Sequence, residues 1–257
     1  MEPTISNTDR QQQIQQLISR KQRLRVSEIC NLFNVSESTA RRDLEKLAGL
    51  GKIQRVHGGA IANFQAPPEK PILQRQKLQA QEKMRIGQLA ASLVKTDDTV
   101  FLGSGSTVLE IARELCKRTE LTIVTNSLPV INLVANTPNI NGIFLGGILR
   151  KSESSFIGHI TEQSIAELYV DKVFIGARAI SLERGLTNEY PQETMTDRAI
   201  VKSGKEIILV ADHTKFGRTS TIFLMPIDKI DKIITNEQTS SNIISEIRRN
   251  GIEVLIA

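Results

Sequence analysis

The sequence is poor in aromatic residues and in cysteine. Its 257 residues include no Trp, two Tyr and eight Phe, so a core must consist mainly of Ile, Leu, Val and Ala. The two cysteines, Cys30 and Cys116, stand in helix-like segments far from any second ligand. We therefore expect neither a disulfide nor a metal site, and we interpret both as small buried hydrophobes of a reducing compartment.

Long apolar runs are also absent. No segment approaches the length of a membrane-spanning helix, and the opening residues MEPTISNTDRQQQ lack the apolar stretch of a signal peptide. With 40% hydrophobic and 24% charged residues, the composition is ordinary for a soluble globular protein. We expect a cytoplasmic protein with one small and one medium domain, and with no membrane partner and no cofactor.

Positive charge is concentrated near the amino end. Residues 1–62 contain ten Lys or Arg and six Asp or Glu, a net charge of +4, whereas residues 63–257 contain 23 and 22, a net charge of +1. A basic face attracts nucleic acid by neutralising phosphates. An ordinary solvated surface would explain the same charge. Only the sequence motifs of this segment can therefore distinguish a DNA-binding face from such a surface.

Hydrophobic spacing predicts three helices in this basic segment. The apolar positions are Ile14, Leu17 and Ile18 in the first helix, and Ile29, Leu32 and Phe33 in the second, EICNLF. Ser27 is predicted to cap the second helix and Ser36 the third. In the third helix Ala40, Leu44 and Leu47 repeat at i, i+4 and i+7 and are expected to face inward.

The outward face of the third helix has the residues of a recognition helix. Its members are Glu37, Ser38, Arg41, Arg42 and Lys46, with Thr39 at the margin. A recognition helix sets its first side chains against base edges in the major groove, where an arginine can make two hydrogen bonds to guanine. The alternative is a solvated face with an Arg41–Glu45 pair, which contributes only about 0.2–0.5 kcal/mol.

The residues after this helix favour DNA binding. Gly49 and Gly51 are expected to end the helix, and a basic strand, KIQRV, then leads to a Gly58-Gly59 turn of a wing-like hairpin. We predict a winged helix-turn-helix domain over residues 1–62. Its predicted DNA contacts are Ser27, Ser36, Glu37, Ser38, Thr39, Arg41, Arg42, Lys46, Lys52, Arg55 and His57.

A proline-rich connector and an alternating α/β pattern follow. Residues 63–79 hold three prolines within five positions and are predicted to link the domains. A helix, EKMRIGQLAASLV, comes next, with Met84, Ile86, Leu89, Ala90 and Leu93 as its apolar positions. Seven short apolar runs then alternate with amphipathic stretches, which predicts a mostly parallel, Rossmann-like sheet over residues 80–257.

Glycines and hydroxyls follow the first strand of this sheet, where ligands bind in such folds. The run Gly103-Ser104-Gly105-Ser106-Thr107 opens directly into a helix, whose amino end favours an anion. It is not a Walker loop, and Val108 occupies the third glycine position of a dinucleotide fingerprint. The run favours the phosphate of a small molecule; a tight turn without a ligand is the alternative.

Polar clusters follow three further strands. They are Thr125, Asn126 and Ser127; Gly146 and Gly147 with Arg150 and Lys151; and Asp212 with Lys215. Each cluster alone would be ordinary loop chemistry, and Lys151 and Arg218 are interpreted as surface charges. Four clusters at one sheet edge predict a pocket with hydroxyls, amides and cations, suited to an anionic polyol.

Both halves resemble the DeoR family of bacterial transcriptional regulators. The pattern VS..T.RRDL..L...G...R.HGGA is complete from Val35 to Ala60, although Ala40 stands where Ile is common. In the second half Arg75 and the runs EK..IG..AA.LV, SGST, VTNSL, LGG..R, FIGA, GLT and AD..KFG match. The resemblance implies a regulator, more often a repressor, whose GSGST loop cradles the phosphate of a sugar effector. It also implies that Thr125, Asn126, Gly147 and Lys215 line the pocket.

The family's effector domain is similar to ribose-5-phosphate isomerases and CoA transferases, so an enzyme is the alternative function. The two acid positions of the isomerase motif fall on Ile175 and Arg178, and neither can be a general base. Glu189 and Asp212 remain as pocket carboxylates. Arg178, Ala179, His159 and Asn236 also depart from the family pattern.

We therefore predict a regulator of carbohydrate-metabolism genes that is not an enzyme. It is expected to bind a double-stranded DNA operator as a homo-oligomer, a dimer or tetramer. The predicted effector-binding residues are Gly103, Ser104, Gly105, Ser106, Thr107, Thr125, Asn126, Ser127, Gly146, Gly147, Arg150, Arg178, Glu189 and Lys215.

Overall fold

The computed structural model describes residues 6–21, 23–50, 52–62 and 66–257, and the chain divides into two compact units between Pro67 and Pro68. The boundary lies inside the predicted connector, whose residues 63–65 are outside the described part. Residues 68–79 belong to the larger unit. None of the helices in the described residues has the length and apolar character needed to span a membrane.

The smaller unit is a winged helix-turn-helix. Its elements are α1 (Asn7–Lys21), β1 (Arg23–Arg25), α2 (Val26–Phe33), α3 (Glu37–Gly49), β2 (Ile53–Val56) and β3 (Gly59–Ala62). The three strands form an antiparallel sheet in the order β1-β3-β2. Aliphatic residues from all three helices form one core, and Ala40, Leu44 and Leu47 are buried in it as predicted.

Three local predictions in this unit are wrong. Helix α2 begins at Val26, two residues earlier than a Ser27 cap requires, because the Arg25 N–H bonds the Glu28 carboxylate at 2.8 Å and so stabilises the earlier start. Leu32 is 54% exposed, since Val26 and Ile29 take the inward positions of α2. The wing turn consists of His57 and Gly58, and Gly59 is the first residue of β3.

A buried ion pair joins α1 to α3. Arg10 and Asp43 are 7% and 4% exposed, and Arg10 Nε lies 2.7 Å from the Asp43 carboxylate. The other Asp43 oxygen accepts from Gln11 at 2.7 Å, and Arg10 also donates to Asn7. These hydrogen bonds compensate the two charges for their loss of water.

The larger unit alternates helices and strands after a short helical start. Its elements are α4 (Ile72–Arg75), α5 (Ala80–Ser92), β4 (Thr99–Leu102), α6 (Ser106–Leu115), β5 (Leu121–Thr125), α7 (Leu128–Val134), β6 (Ile140–Phe144), β7 (Ile148–Arg150), β8 (Ser155–Ile157), α8 (His159–Ala166), β9 (Val170–Ile175), β10 (Ala179–Ser181), β11 (Gly185–Asn188), α9 (Pro191–Lys202), β12 (Gly204–Val210), β13 (Ile222–Met225), β14 (Lys232–Thr235), α10 (Ser241–Arg249) and β15 (Glu253–Ile256). Single 3-10 turns occur at His213–Lys215 and Ile227–Lys229.

The seven predicted apolar runs form one parallel sheet. Its strand order is β15-β14-β12-β9-β4-β5-β6, and every neighbouring pair is parallel. Two aliphatic clusters pack within this unit, one around Phe101 and the other around Phe174. The carboxyl ends of β4, β9 and β12 are therefore neighbours, although their residues are far apart in sequence.

Shorter antiparallel strands were not predicted. Strands β7 and β8 form a hairpin, and β10, β11 and β13 form a three-stranded sheet. In α5 the expected inward Met84 is 45% exposed, whereas Lys83 is 4% exposed. The Lys83 ammonium donates to the carbonyls of Arg75 and Leu78 at 2.6 and 2.5 Å, which compensates for its burial.

The Arg10–Asp43 pair generates a stability prediction. Arg10→Met leaves the Asp43 carboxylate buried without its cation, so the free energy of unfolding of the smaller unit should fall by about 3 kcal/mol. Hydrogen exchange of the α1 and α3 amides measures this unit separately. Glu37→Gln, which removes an exposed partner of Arg41, is the control and should cost less than about 1 kcal/mol. Equal effects of the two changes would contradict the prediction.

Candidate DNA-binding surface and effector cavity

Helix α3 exposes one polar stripe. Ser38, Arg41, Arg42, Glu45 and Lys46 follow the spacing i, i+3, i+4, i+7 and i+8, and all five are exposed. The Ser36 hydroxyl accepts the Thr39 N–H at 3.3 Å, so the predicted cap of this helix is confirmed. The burial of Ala40, Leu44 and Leu47 fixes which side of the helix carries this stripe.

The cations of this surface differ in their local partners. Arg41 lies 3.0 Å from Glu37, and not against Glu45 as the solvated-face alternative supposed. Arg42 and Lys46 have no hydrogen bond or ion pair to any residue in the part of the chain that the structure describes. Their charges are therefore available to a partner.

The wing is attached to α3 by Arg55. Its Nη1 donates to the Arg41 carbonyl at 3.2 Å and lies 3.8 Å from Glu45, so this half-buried arginine positions the wing. Lys52 and His57 are exposed, and Gly58 has φ +77° in the turn. The Gly58 carbonyl accepts the Val26 N–H at 2.9 Å, which joins the wing turn to the start of α2. Ser27 is exposed on α2.

A cavity of about 210 Å³ opens at the carboxyl ends of β4, β9 and β12 in the larger unit. Among its lining residues are six predicted effector residues, namely Ser104, Gly105, Ser106, Thr107, Arg178 and Lys215. Asp212, predicted as a pocket carboxylate, also lines it. The segment after Pro68 contributes Glu69, Arg75, Leu78 and Gln79 to the wall.

The glycine loop leaves its donors free. Gly105 has φ +120°, a conformation that L side chains rarely adopt, and it precedes α6 without a side-chain cap. The first N–H groups of a helix lack intrahelical acceptors. In residues 66–257 no hydrogen bond engages the hydroxyls of Ser104, Ser106 or Thr107. Backbone and side-chain donors therefore meet at this wall of the cavity.

Two cations stand near the loop without strong partners. Arg178 is 8% exposed, and its Nε and Nη2 have no hydrogen-bond acceptor within the described residues. Its Nε is 3.4 Å from Glu189, a carboxylate that is 44% exposed and does not line the cavity. Burial lowers the pKa of Lys215 to about 8; Asp212 opposes this shift, and Arg75 and Arg178 add to it. Both side chains are placed to meet an anion.

Eight predicted effector residues lie outside this cavity lining, namely Gly103, Thr125, Asn126, Ser127, Gly146, Gly147, Arg150 and Glu189. The Thr125 hydroxyl donates to the Leu102 carbonyl at 2.6 Å and accepts the Ser127 N–H at 3.0 Å. Asn126 donates to the Phe156 carbonyl at 2.8 Å, while its Oδ1 has no hydrogen-bond partner among the described residues. The Gly146 carbonyl accepts from Thr161, and a Cβ on Gly147 would meet the same Thr161 side chain at 2.2 Å. These side chains and carbonyls therefore form hydrogen bonds to neighbouring loops and to the β7–β8 hairpin, and they do not line the cavity.

Arg150 is occupied by carboxylates. Its guanidinium donates to Glu69 and Glu193, each at 2.5 Å, and lies 4.8 Å above the Tyr190 ring. This pairing leaves it unsuited to the direct phosphate contact that its position in sequence suggested. Arg150 instead orients two acids of the cavity wall.

The acidic side of the cavity was missed in the sequence. It consists of Glu69, Glu153, Glu193 and Asp197, together with Asn188. Arg75 pairs with Glu69 at 3.2 Å and with Glu153, and Asn188 donates to Asp197 at 2.7 Å. Glu193 and Asp197 are four residues apart on α9, which is the one sequence signal that they share a face. Glu69 and Glu153 come from the connector and the hairpin, and no local pattern joins them.

Burial changes the acidity of these groups. Burial raises the pKa of Glu193 and Glu153, and it raises that of Asp197 to about 7. Burial also opposes ionisation of Glu69, but Arg150 and Arg75 outweigh it and lower its pKa. Within the described residues no group of acids, histidines or cysteines is arranged to hold a metal ion. Cys30 and Cys116 are free, half-buried thiols that pack against the two cores.

Two family models match the two units. The DeoR-like helix-turn-helix domain matches residues 10–66, and the DeoR C terminal sensor domain matches residues 78–237. The chain belongs to the DeoR family. It is accordingly a DNA-binding transcriptional regulator with a sensor domain, and not an enzyme.

Curated DeoR-family relatives match along nearly the whole chain. Transcriptional repressor AccR of Agrobacterium fabrum is 33% identical, covering 91% of both chains. HTH-type transcriptional repressor GlcR of Bacillus subtilis is 34% identical over 91% of this chain and 90% of its own. The putative aga operon transcriptional repressor of Escherichia coli O157:H7 is 31% identical over 97% and 93%. A solved ribose 5-phosphate isomerase A from Methanocaldococcus jannaschii is 19% identical, covers 54% of this chain and 55% of its own, and has a TM-score of 0.41.

The lowered pKa of Lys215 predicts how anion binding depends on pH. Since only the ammonium attracts an anion, affinity for sulfate, whose charge is constant, should fall by roughly tenfold between about pH 7 and pH 9.5. Isothermal titration calorimetry measures it. Lys215→Met should reduce the dependence to the smaller part that ionisation of Asp197 causes, whereas Lys205→Met, at an exposed lysine outside the cavity, should retain it in full. A sulfate affinity that is constant in the unmodified protein over this range would contradict the prediction.

Proposed function

We propose that this DeoR-family regulator binds a phosphorylated sugar or sugar derivative in the cavity and thereby changes its affinity for an operator. The observation that carries the proposal is that the uncapped α6 amino terminus and the buried guanidinium of Arg178 line the same cavity. Within the described residues Nε and Nη2 of Arg178 have no hydrogen-bond acceptor, and its ion-pair partner Glu189 is 44% exposed. A buried arginine that is only partly compensated costs free energy, and an anion would reduce that cost. Three free hydroxyls and Lys215 stand at the same wall.

A phosphate fits this wall for chemical reasons. Backbone N–H groups at a helix amino terminus bind anions, and an arginine can donate two parallel hydrogen bonds to phosphate oxygens. We place the phosphate against Ser104–Thr107, with Arg178 and Lys215 as the neutralising cations. The rest of the sugar would then extend toward Asn188 and the acids of α9.

The operator contact is proposed for the α3 stripe and the wing. Arg41, Arg42 and Lys46 would reach base edges and phosphates, and Lys52 and His57 would lie along the backbone of the duplex. Ser36, Ser38 and Thr39 stand at the amino end of α3, where a recognition helix meets DNA. Glu37 would help to orient Arg41, with which it pairs at 3.0 Å.

We further propose a homo-oligomer that acts as a repressor of carbohydrate-metabolism genes. One winged helix reads a single short segment of the major groove, so specific affinity requires at least a dimer. The named relatives AccR and GlcR are repressors, which supports repression rather than activation as the effect on transcription. The effector can act only through a difference in its affinity for the DNA-competent and DNA-incompetent states.

The recognition surface is tested by Arg41→Ala combined with Arg42→Ala. Loss of both guanidinium groups should weaken binding to the operator upstream of the protein's own gene or target genes by at least about a hundredfold. Fluorescence anisotropy at fixed salt measures the affinity. The control variant, Arg85→Ala with Arg184→Ala, removes two exposed arginines of the larger unit. Its operator affinity should fall much less. If the first variant binds as tightly as the control, α3 is not the recognition helix.

The effector site is tested by Ser106→Asp, which places a carboxylate where we position the phosphate. A screen of sugar phosphates by thermal shift should yield at least one stabilising compound, and that compound should release the unmodified protein from its operator. Ser106→Asp should abolish both the thermal shift and the release while leaving operator affinity intact. An unchanged shift in this variant would place the effector elsewhere.

A further inference from the structure

The charged side chains that line the cavity fall into two groups. In the first group Arg178 and Lys215 accompany a single acid, Asp212. Lys83 donates to the carbonyls of Arg75 and Leu78 and interacts with both Asp212 and Arg75, so it belongs to neither group alone. The second group, the acidic side, consists of the four acids Glu69, Glu153, Glu193 and Asp197. Among the described residues, the first three of these acids form ion pairs with two guanidinium groups, those of Arg75 and Arg150.

One of these acids has an unused acceptor. The Glu153 side chain is 4% exposed, and Arg75 contacts only its Oε1. Its Oε2 has no hydrogen-bond partner within the described residues, although Glu153 lines the cavity. A buried acceptor without a donor costs free energy, so a ligand donor at this point would be stabilised.

Asp197 is also incompletely compensated. Its carboxylate is held by the neutral amide of Asn188 at 2.7 Å, whereas Glu69 and Glu193 are paired with Arg150. Burial raises its pKa to about 7, with the Glu153 charge adding to the shift. At neutral pH this carboxyl group is therefore partly protonated, and a bound cation would favour its ionised form.

We propose that this acidic side is a subsite for a protonated amine, so that the preferred effectors are phosphorylated amino sugars or related amino-polyol phosphates. An ammonium supplies three donors and one positive charge, which suit Glu153 Oε2, Asp197 and Glu193. A hydroxyl supplies one donor and no positive charge. The inference rests on the proposed function, because it assumes that the phosphate occupies the opposite wall.

The experiment compares matched ligands on the full chain. Hexose 6-phosphates of gluco, galacto and manno configuration are titrated beside their 2-amino-2-deoxy counterparts at about pH 7 by calorimetry. In at least one pair the amine should bind about tenfold or more tightly, as expected for a charge-assisted hydrogen bond. Glu153→Gln and Asp197→Asn should each reduce this ratio several-fold, while Glu167→Gln, at an exposed acid outside the cavity, should preserve it.

The outcomes separate the two proposals. If neutral phosphates bind as tightly as the amines in every pair, or if both acid variants keep the ratio, the amine subsite is overturned. In that case, binding of neutral phosphates that Ser106→Asp abolishes leaves the proposed function intact. If none of the six esters binds, the amine subsite is overturned, and the wider sugar-phosphate screen decides the proposed function separately.

Discussion

The parallel alignment of the central strands is the constraint on which the cavity depends. Hydrogen bonding in register holds β4 between β9 and β5, and β12 beside β9, so their carboxyl ends lie at one edge. The loops after these strands then carry Ser106, Arg178 and Asp212 to a common wall. In an antiparallel sheet the same loops would alternate between two edges, and the donors would not meet.

Paired arginines organise the opposite wall. The Glu69 carboxylate bonds Arg75 and Arg150, and Arg150 in turn bonds Glu193. These bonds tie the segment after Pro68 to the β7–β8 hairpin and to α9. Lys83 adds hydrogen bonds to the carbonyls of Arg75 and Leu78. The wall that a ligand would touch is therefore continuous in sequence with the chain that leads back to the DNA-binding unit.

Local patterns predicted the elements well for a physical reason. Helix α3 has an inward period of Ala40, Leu44 and Leu47, and its cap at Ser36 is a short-range hydrogen bond, so both can be predicted from adjacent residues. The inner strands of the sheet are apolar on both faces, which distinguishes them from the amphipathic helices between them. The short antiparallel strands lack such a signal. Lys83 on the apolar face of α5 was overlooked because its carbonyl partners are revealed only by the fold.

The family, the winged helix with its basic stripe, and the glycine loop before α6 can be predicted from the amino-acid sequence, because these features consist of neighbouring residues with local requirements. Which polar groups share the cavity depends instead on how the elements pack. Arg150 was expected to bind a phosphate, but in the fold it pairs with Glu69 and Glu193. Thr125 and Asn126 form hydrogen bonds to other parts of the chain instead of lining the cavity. The fold also brings Glu69, Glu153 and Asp197 together from distant segments. Contacts of this kind depend on the packing of separate elements, and no local spacing in the chain encodes them.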